Sequence, residues 1–151
     1  MKFFATIATL VIAAVANVQA VSWKDCAPVG TADLTISSFT VTPYPLCIGQ
    51  NVCASGTGVL SVPVIAPAKL QISGSYLGRV VYTDNQDLCA ISAAYGQPCP
   101  IPVSVTSITA CVLVKTSAPA NINVQLTVKA FNGNNHILFC QEATVQATNC
   151  A

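Results

Sequence analysis

The side chains of this chain that could do chemistry are few, and most of them are cysteines. Eight occur: Cys26, Cys47, Cys53, Cys89, Cys99, Cys111, Cys140 and Cys150. Zinc sites pair cysteines two to four residues apart, often with histidines, but no cysteines here have that spacing and the only histidine is His136. An even cysteine count in an exported chain instead predicts disulfides, in this case four. We therefore predict no metal site.

Groups suited to acid–base or nucleophilic catalysis are equally sparse. His136 lies beside a predicted hairpin turn, where a solvated or capping histidine is the expected role. Asp84 and Asp87 could form a carboxylate pair, but their turn-rich surroundings favour the capping of backbone amides. The chain has neither the Gly-x-Ser-x-Gly motif of hydrolases nor a phosphate-binding glycine loop. We predict no catalytic residue, no cofactor and no enzymatic activity.

The charges are few and balanced. The chain has six basic and five acidic residues among 151, and 53% of its residues are hydrophobic. Lys2 is one of the basic residues, so the part from Val21 onward has no net charge. Nucleic-acid binding needs a dense basic face, which the remaining cations are too few to form. The composition sets no such limit on binding an apolar molecule.

Residues 1–20 have the pattern of a secretory signal peptide. Lys2 precedes the apolar run Phe3–Val15, and Val18-Gln19-Ala20 presents small residues to a signal peptidase. A membrane anchor is the alternative, but the run is shorter than the ~18–20 residues that span a bilayer. We predict cleavage after Ala20 and one domain over residues 21–151. The protein is then secreted or resides in a vacuolar or lysosomal lumen.

Short extended runs separated by Pro, Gly and Asn make up the rest of the chain. Period-two alternation is typical of strands with one buried face, and it is clearest just before the Asn-Gly hairpin turn at Phe131–Asn135. The predicted strands lie at Leu34–Thr42, Gly58–Ile65, Ala68–Thr83, Val103–Thr116, Asn121–Ala130 and His136–Ala147. With a helical turn expected only at Leu88–Tyr95, this spacing predicts an antiparallel β-sandwich or barrel of about seven strands.

The stretch Ala68–Pro102 is the most informative part of the chain. One face of its extended portion, either one long strand or two strands joined by a bend, is predicted to carry Leu70, Ile72, Gly74, Tyr76, Gly78, Val80 and Tyr82. A filled core would favour valine or leucine at Gly74 and Gly78. These glycines therefore indicate either a cavity or a bulge in the strand, and the residues alone leave both open.

Several motifs in this sequence occur in a recognisable order. They are Trp23-Lys24-Asp25-Cys26, Cys47 with Cys53, Asp87-Leu88-Cys89 leading to Cys99-Pro100-Ile101, and Leu138-Phe139-Cys140-Gln141-Glu142. Together they resemble the ML (lipid-recognition) domain family, which includes the Niemann–Pick type C lysosomal sterol carrier, mite group 2 allergens and fungal phosphatidylglycerol/phosphatidylinositol transfer proteins. Tyr76–Tyr82 and the Cys89–Cys99 loop are most similar to the fungal branch. The resemblance covers nearly all of residues 21–151, although Ala27 stands where the family often has glycine.

This resemblance implies an all-β, immunoglobulin-like sandwich with an apolar cavity between its sheets. The implied function is a carrier that holds a single lipid, phosphatidylglycerol or phosphatidylinositol, and moves it between membranes. A sterol carrier is the near alternative, and a β-sandwich that recognises a partner or serves a structural role without binding lipid is the distant one. We expect a monomer that touches membranes transiently and binds no nucleic acid.

The resemblance also implies specific disulfides and site residues. The family framework gives Cys26–Cys140, Cys47–Cys53 and Cys89–Cys99, and Cys111–Cys150 follows by exclusion, with free or intermolecular thiols as the alternative. The candidate cavity residues are Phe39, Leu70, Ile72, Gly74, Tyr76, Gly78, Val80, Tyr82, Ile101, Val124, Leu126, Val128 and Phe131. Lys69, Arg79 and Lys115 are candidates for contact with an anionic headgroup at the rim, as opposed to ordinary solvated cations.

Overall fold

Nine strands and one short helix form the part of the chain that the structure describes. The computed structural model describes residues 20–151, so the predicted signal peptide lies, except for Ala20, outside the described residues. The elements are β1 (Lys24–Asp25), β2 (Leu34–Thr42), β3 (Leu46–Cys47), β4 (Asn51–Leu60), β5 (Lys69–Tyr76), β6 (Arg79–Asp87), α1 (Leu88–Ala93), β7 (Ser107–Leu113), β8 (Asn123–Phe131) and β9 (Ile137–Thr148). No helix in this range is long and apolar enough to cross a membrane.

The strands form two sheets that pack face to face. The large sheet has the order β1-β9-β8-β5-β6, with β3 added parallel to the end of β9, and the small sheet has the order β2-β4-β7. Apart from β3, all pairs of neighbouring strands in the two sheets are antiparallel. The predicted antiparallel sandwich is confirmed, and seven of the nine strands are longer than two residues.

Alternation of apolar and polar residues determines which face of each strand is buried. In β8 the side chains of Val124, Leu126, Val128 and Ala130 are buried, whereas the residues between them are partly or fully exposed. Such a strand gains about 1.5–3 kcal/mol for each large apolar side chain that it buries. The large sheet is therefore held against the small one by a continuous apolar face.

β5 and β6 form a hairpin, whereas the first of the two alternatives predicted for this stretch was one long strand. Leu77 and Gly78, at the turn, have φ angles of 49° and 75°, which match a two-residue type I′ turn. A bulge lies just before it, because Gly74 pairs with Tyr82 and the next residue pairs with Val80. Only the first half of the predicted face keeps its register. The assignment of Gly78 and Val80 to that face is wrong.

The strand β4 was not predicted, because its inward residues are small. Ala54, Gly56 and Gly58 alternate with polar side chains and give no apolar signal, so the prediction placed a strand at Gly58–Ile65 instead. Packing also requires glycine at position 58, because a Cβ there would overlap the carbonyl oxygen of Thr35 on β2. That close approach lies beside a bulge in β2.

Four disulfides staple the sandwich, and two of them differ from the prediction. Cys26–Cys140 and Cys89–Cys99 are present as predicted. The other four cysteines pair as Cys47–Cys150 and Cys53–Cys111, so the predicted Cys47–Cys53 and Cys111–Cys150 bridges are wrong. All eight cysteines are bonded, which is consistent with the secretory pathway.

Strand pairing explains the corrected disulfides. Cys53 and Cys111 lie directly opposite each other on β4 and β7, with Cα atoms 4.0 Å apart. Cys47 lies on β3 beside the end of β9, which places its Cα 5.4 Å from that of Cys150. Cys47 and Cys53 are near in sequence but belong to different sheets. The family framework alone did not contain this information.

The helix α1 closes one end of the sandwich. Its N-cap is Asp87, whose carboxylate accepts a hydrogen bond from the backbone N–H of Ala90 at 3.0 Å. This confirms the expected helical turn and the capping role of Asp87. Leu88 is buried at the start of the helix, and Cys89–Cys99 fastens the loop that follows. Ile101 is fully buried and extends this apolar end of the sandwich by pairing with Val64 in an isolated β-bridge.

Candidate functional site

An apolar cavity lies between the two sheets. The volume of this cavity is about 140 Å³. The large sheet contributes Leu70, Ile72, Tyr82, Val124, Leu126, Val128, Leu138, Phe139, Val145 and Ala147, and the small sheet contributes Leu34, Ile36, Phe39, Val41, Val52, Ala54, Gly56, Gly58, Leu60, Ile108, Ala110, Val112 and Leu113. The cavity therefore follows the strands through most of the sandwich.

The chemistry of the wall is almost entirely hydrophobic. In residues 20–151 no charged side chain lines the cavity, and the polar groups on it are the hydroxyls of Tyr82 and Thr106 and the indole N–H of Trp23. Burial raises the pKa of Tyr82, mainly through desolvation of the phenolate, so the hydroxyl stays neutral. Such a wall offers no acid–base pair or nucleophile to a ligand, and its affinity comes from the burial of apolar surface.

Small residues on the small sheet make the space. Ala54 on β4 lies opposite Ala110 on β7, and Gly56 is the next inward residue of β4. A Cβ at Gly56 would meet only the Phe39 ring, at 3.6 Å, and a backbone oxygen at 3.9 Å. The facing positions of the large sheet carry leucine, isoleucine and valine instead. At these three positions the small sheet therefore adds little side-chain volume to the cavity wall.

The glycine predicted to create the cavity from the large sheet does not do so. A Cβ at Gly74 would lie 3.3 Å from the Cβ of Tyr82 and 3.7 Å from a methyl group of Val124. Neighbouring side chains already fill this position. Gly78 lies in the hairpin turn, where a Cβ would have no neighbour within 4 Å.

A polar cluster ties the large sheet to the segment that follows β7. The Nζ of Lys115 lies 2.5 Å from the carboxylate of Asp84 and donates to the carbonyl oxygen of Thr83 at 3.2 Å. Gln86 donates to the other Asp84 oxygen at 2.8 Å. Asp84 is only 3% exposed, so Lys115 neutralises a buried charge. The hydrogen bond to Asp84 raises the pKa of Lys115.

The three predicted rim cations do not form one site. Lys69 begins β5 and pairs in register with Asp87, whereas Arg79 begins β6 at the opposite end of the same hairpin. Lys115 contacts the middle of the hairpin, at Thr83 and Asp84, and its charge is engaged by Asp84. Arg79 and Lys69 therefore lie at opposite ends of the hairpin, and Lys115 contacts β6 between them.

The chain matches the family model of the ML domain over residues 20–147. The protein belongs to the ML-domain family. No protein among those with curated descriptions matches it.

Solved structures show the same fold at low sequence identity. This ML domain is similar to a Niemann-Pick type C2 protein from Japanese carpenter ant, with a TM-score of 0.63 and 15% identity over 84% of this chain and 99% of that one. It is similar to chicken MD-1 complexed with lipid IVa, with a TM-score of 0.55 and 13% identity over 83% of this chain and 88% of that one. It is also similar to the C-terminal domain of wzt, with a TM-score of 0.52 and 15% identity over 87% of this chain and 80% of that one.

The structure brings many of the predicted site residues of this ML domain to the cavity. Those on its wall are Phe39, Leu70, Ile72, Tyr82, Ile101, Val124, Leu126 and Val128. Val80 is exposed because the bulge in β6 changes the face on which it lies, and Tyr76 is exposed at the end of β5, beside the turn. Phe131 lies at the end of β8, where its ring contacts the Lys129 ammonium at 5.2 Å from the ring centroid.

Sequence reasoning missed Ala54, Gly56 and Ala110, the residues that leave the space. A signal existed: in Asn51–Leu60 the even positions are all apolar or small, and most of the odd positions are polar. A strand rule that counts small residues as inward-facing would have found β4. Which small residues border empty space still depends on what lies across the sandwich.

Proposed function

We propose that the protein is a lipid carrier. It holds the apolar part of a single lipid between its two sheets and moves that lipid between membranes without chemical change. The observation that carries this proposal is the cavity, whose wall in residues 20–151 includes no charged side chain. Membership of the ML-domain family and the lipid complex of chicken MD-1 support the same function.

The length of the cavity wall suits an acyl chain. On β4 the wall extends from Val52 to Leu60, a distance of about 26 Å at the rise of a strand. Transfer of apolar groups from water contributes about 0.8 kcal/mol per methylene, so ten methylenes contribute roughly 8 kcal/mol before ordering costs. This is sufficient to remove a lipid tail from water, and no residue has to react with it.

Charge supports an anionic phospholipid, phosphatidylglycerol or phosphatidylinositol, as the ligand. Arg79 and Lys115 are the only charged side chains in residues 42–52, 73–83 and 113–125. Lys115 is paired with Asp84, and its side chain remains 44% exposed. An acidic headgroup that leaves the cavity at this end meets cations and no exposed carboxylate from these segments.

The carrier proposal is tested by what the protein retains and what it takes up. Native mass spectrometry of the protein from its own source should give a mass that exceeds the chain by one lipid. After delipidation, the protein should take up phosphatidylglycerol or phosphatidylinositol from liposomes in preference to phosphatidylcholine or a sterol. An Arg79→Gln variant should lose part of that preference while still binding one lipid.

Three other results would each have a definite meaning. Preferential uptake of sterol would replace the phospholipid assignment with a sterol carrier. Equal uptake of phosphatidylcholine would remove the role of the cations but leave a lipid carrier. A clean chain mass together with no uptake of any lipid would refute the proposal and favour a sandwich that recognises a partner or serves a structural role.

A further inference from the structure

The tip of the β5–β6 hairpin, residues Tyr76–Val81, exposes an unusual share of apolar surface. The exposed fractions are 85% for Leu77, 65% for Val80, 40% for Tyr76 and 38% for Val81. Single exposed apolar side chains are common on protein surfaces, whereas a contiguous group of them marks an interaction surface. Four such side chains within six residues form a group of this kind, which we call the hairpin tip.

Within residues 20–151 the hairpin tip pairs with no strand outside the hairpin. The last β5 residue paired with β8 is Ser75, so the residues from Tyr76 to Arg79 pair only within the hairpin. On the other side, Lys115 touches β6 at Thr83, four residues from Arg79, which corresponds to about 13 Å along a strand. A Cβ at Gly78 would have nothing within 4 Å. The tip is therefore open to contact with another surface.

The charge around the hairpin tip fits an anionic surface. Arg79 is the only charged side chain in residues 73–83, and residues 42–52, 113–125 and 144–151 at the same end of the sandwich add only Lys115. Of the five acidic residues, Asp84 is buried, and Asp33 and Asp87 lie at the far end, at the start of β2 and the end of β6. Asp25 and Glu142 lie on β1 and β9, toward the opposite edge of the large sheet from β6. A protruding apolar loop with one cation and a tyrosine matches the layering of a bilayer, which has anionic headgroups above an apolar interior.

The hairpin tip is also continuous with the cavity wall. Val80 and Val81 immediately precede Tyr82, which lines the cavity. β6 is an edge strand of the large sheet, and Lys115 links it to the segment after β7, the edge strand of the small sheet. A membrane in contact with the tip would lie next to the seam between the two sheets.

We propose that the hairpin tip docks the protein on an anionic lipid bilayer by inserting Leu77 and Val80 among the lipid headgroups. The proposal rests on the proposed carrier function and adds the surface through which the carrier meets a membrane. Arg79 contacts the acidic headgroups, and Tyr76 lies at the interface between headgroups and acyl chains. Docking brings the seam between β6 and β7 next to the lipid that the cavity loads or releases.

The experiment compares negative charge added at the hairpin tip with negative charge added elsewhere on the protein. The Leu77→Asp/Val80→Asp variant suits this purpose, because aspartate tolerates the φ angle of 49° at position 77. Val59→Asp is the control, since Val59 is 67% exposed on β4, near the opposite end of the sandwich. Co-sedimentation is measured with vesicles of phosphatidylcholine alone and of phosphatidylcholine mixed with phosphatidylglycerol.

The expected result is a large and specific loss of vesicle binding. The double variant should bind mixed vesicles more than about tenfold more weakly than the unmodified protein, because two apolar side chains no longer enter the bilayer. Val59→Asp should bind as the unmodified protein does. Arg79→Gln should lose about fivefold on mixed vesicles and nothing on phosphatidylcholine, since one cation near an anionic surface is worth about that factor.

A second measurement separates docking from lipid binding. Uptake of a short-chain phosphatidylglycerol, supplied as dissolved monomers, needs the cavity but no membrane. The double variant should retain this uptake while losing vesicle binding. If neither the variants nor the unmodified protein take up monomers, the proposed carrier function is refuted. The vesicle assay then still tests docking by the hairpin tip.

Two outcomes would overturn the docking proposal while leaving the cavity intact. The first is vesicle binding by the double variant at the level of the unmodified protein, which would leave the tip as a surface for a protein partner. The second is an equal loss in Val59→Asp, which would show that any added negative charge repels the vesicles. Absence of vesicle binding by the unmodified protein would also exclude docking.

Discussion

Two interior strands, β4 of the small sheet and β5 of the large sheet, both carry inward glycines, but these glycines meet different neighbours. On β5 the inward residues Leu70 and Ile72 are large, and Gly74 is in close contact with Tyr82. On β4 a Cβ at Gly56 would make only ordinary contact with the Phe39 ring, at 3.6 Å, whereas a side chain at Gly58 would overlap the backbone of β2. A glycine in a strand thus has at least three structural roles here. What lies across from the glycine determines the role.

The largest expected effect is a difference in stability between substitutions at the two glycines of β4. Gly58→Val should destabilise the fold by about 3 kcal/mol or more, because its Cβ would overlap the Thr35 carbonyl oxygen and displace β2. Gly56→Ala is the matched control on the same strand face and should leave the free energy of unfolding unchanged or slightly higher. Urea denaturation measures both. A stable Gly58→Val protein would mean that β2 has no fixed position on β4.

The next effect compares one substitution on the two facing strands. Gly74→Leu should lower the free energy of unfolding by about 1–3 kcal/mol, because it overpacks a filled site. Gly56→Leu should not lower it, since the side chain enters the cavity, but lipid uptake by the delipidated variant should fall at least about tenfold. If Gly56→Leu takes up lipid as the unmodified protein does, the space next to Gly56 is not where the lipid lies.

A smaller effect distinguishes a turn glycine from a wall glycine. Gly78→Leu should cost about 1–2 kcal/mol, because φ is 75° there and a side chain is disfavoured at positive φ. Monomeric lipid uptake should be unchanged, in contrast to Gly56→Leu. Gly78→Asn should recover most of the stability, since asparagine tolerates this conformation. Reduced monomer uptake by a folded Gly78→Leu protein would place the turn at the cavity.

The smallest effect concerns the polar link between the two walls. The pKa of Lys115 is raised above its ordinary value of 10.5 by its hydrogen bond to Asp84. The stabilisation of the fold by this ion pair is therefore complete below pH 10.5, and it is lost as the pH rises through the raised pKa of Lys115. The unfolding free energy should fall more steeply in this alkaline range than it does for Lys115→Met/Asp84→Asn. Parallel pH profiles would show that the pair does not stabilise the fold.

Much of the large sheet and its part of the site followed from the sequence. Strands β8 and β9 and the wall residues Leu70, Ile72 and Val124 all have strong apolar alternation, and tertiary contacts reinforce that pattern. The small sheet was less accessible. Its central strand β4 uses alanine and glycine on the inward face, so local hydrophobicity gave no signal where the cavity forms.

The hairpin shows how a local irregularity limits such reasoning. One extra residue beside Val80 reverses the faces of all later positions toward the turn, because side chains alternate with a period of two. The prediction carried the alternation through this bulge and assigned Tyr76, Gly78 and Val80 to the wall. The exposed hairpin tip is the result of that reversal.

By itself the sequence determined a disulfide-bonded β-sandwich with an apolar interior and few, balanced charges. Those properties follow from composition and from short-range periodicity, which each segment carries alone. Only the tertiary structure decided how Cys47 and Cys53 are bonded, which glycine borders empty space and where Arg79 lies relative to Lys69. These depend on strand register and on the distance between the two sheets, which arise from contacts between residues far apart in the chain.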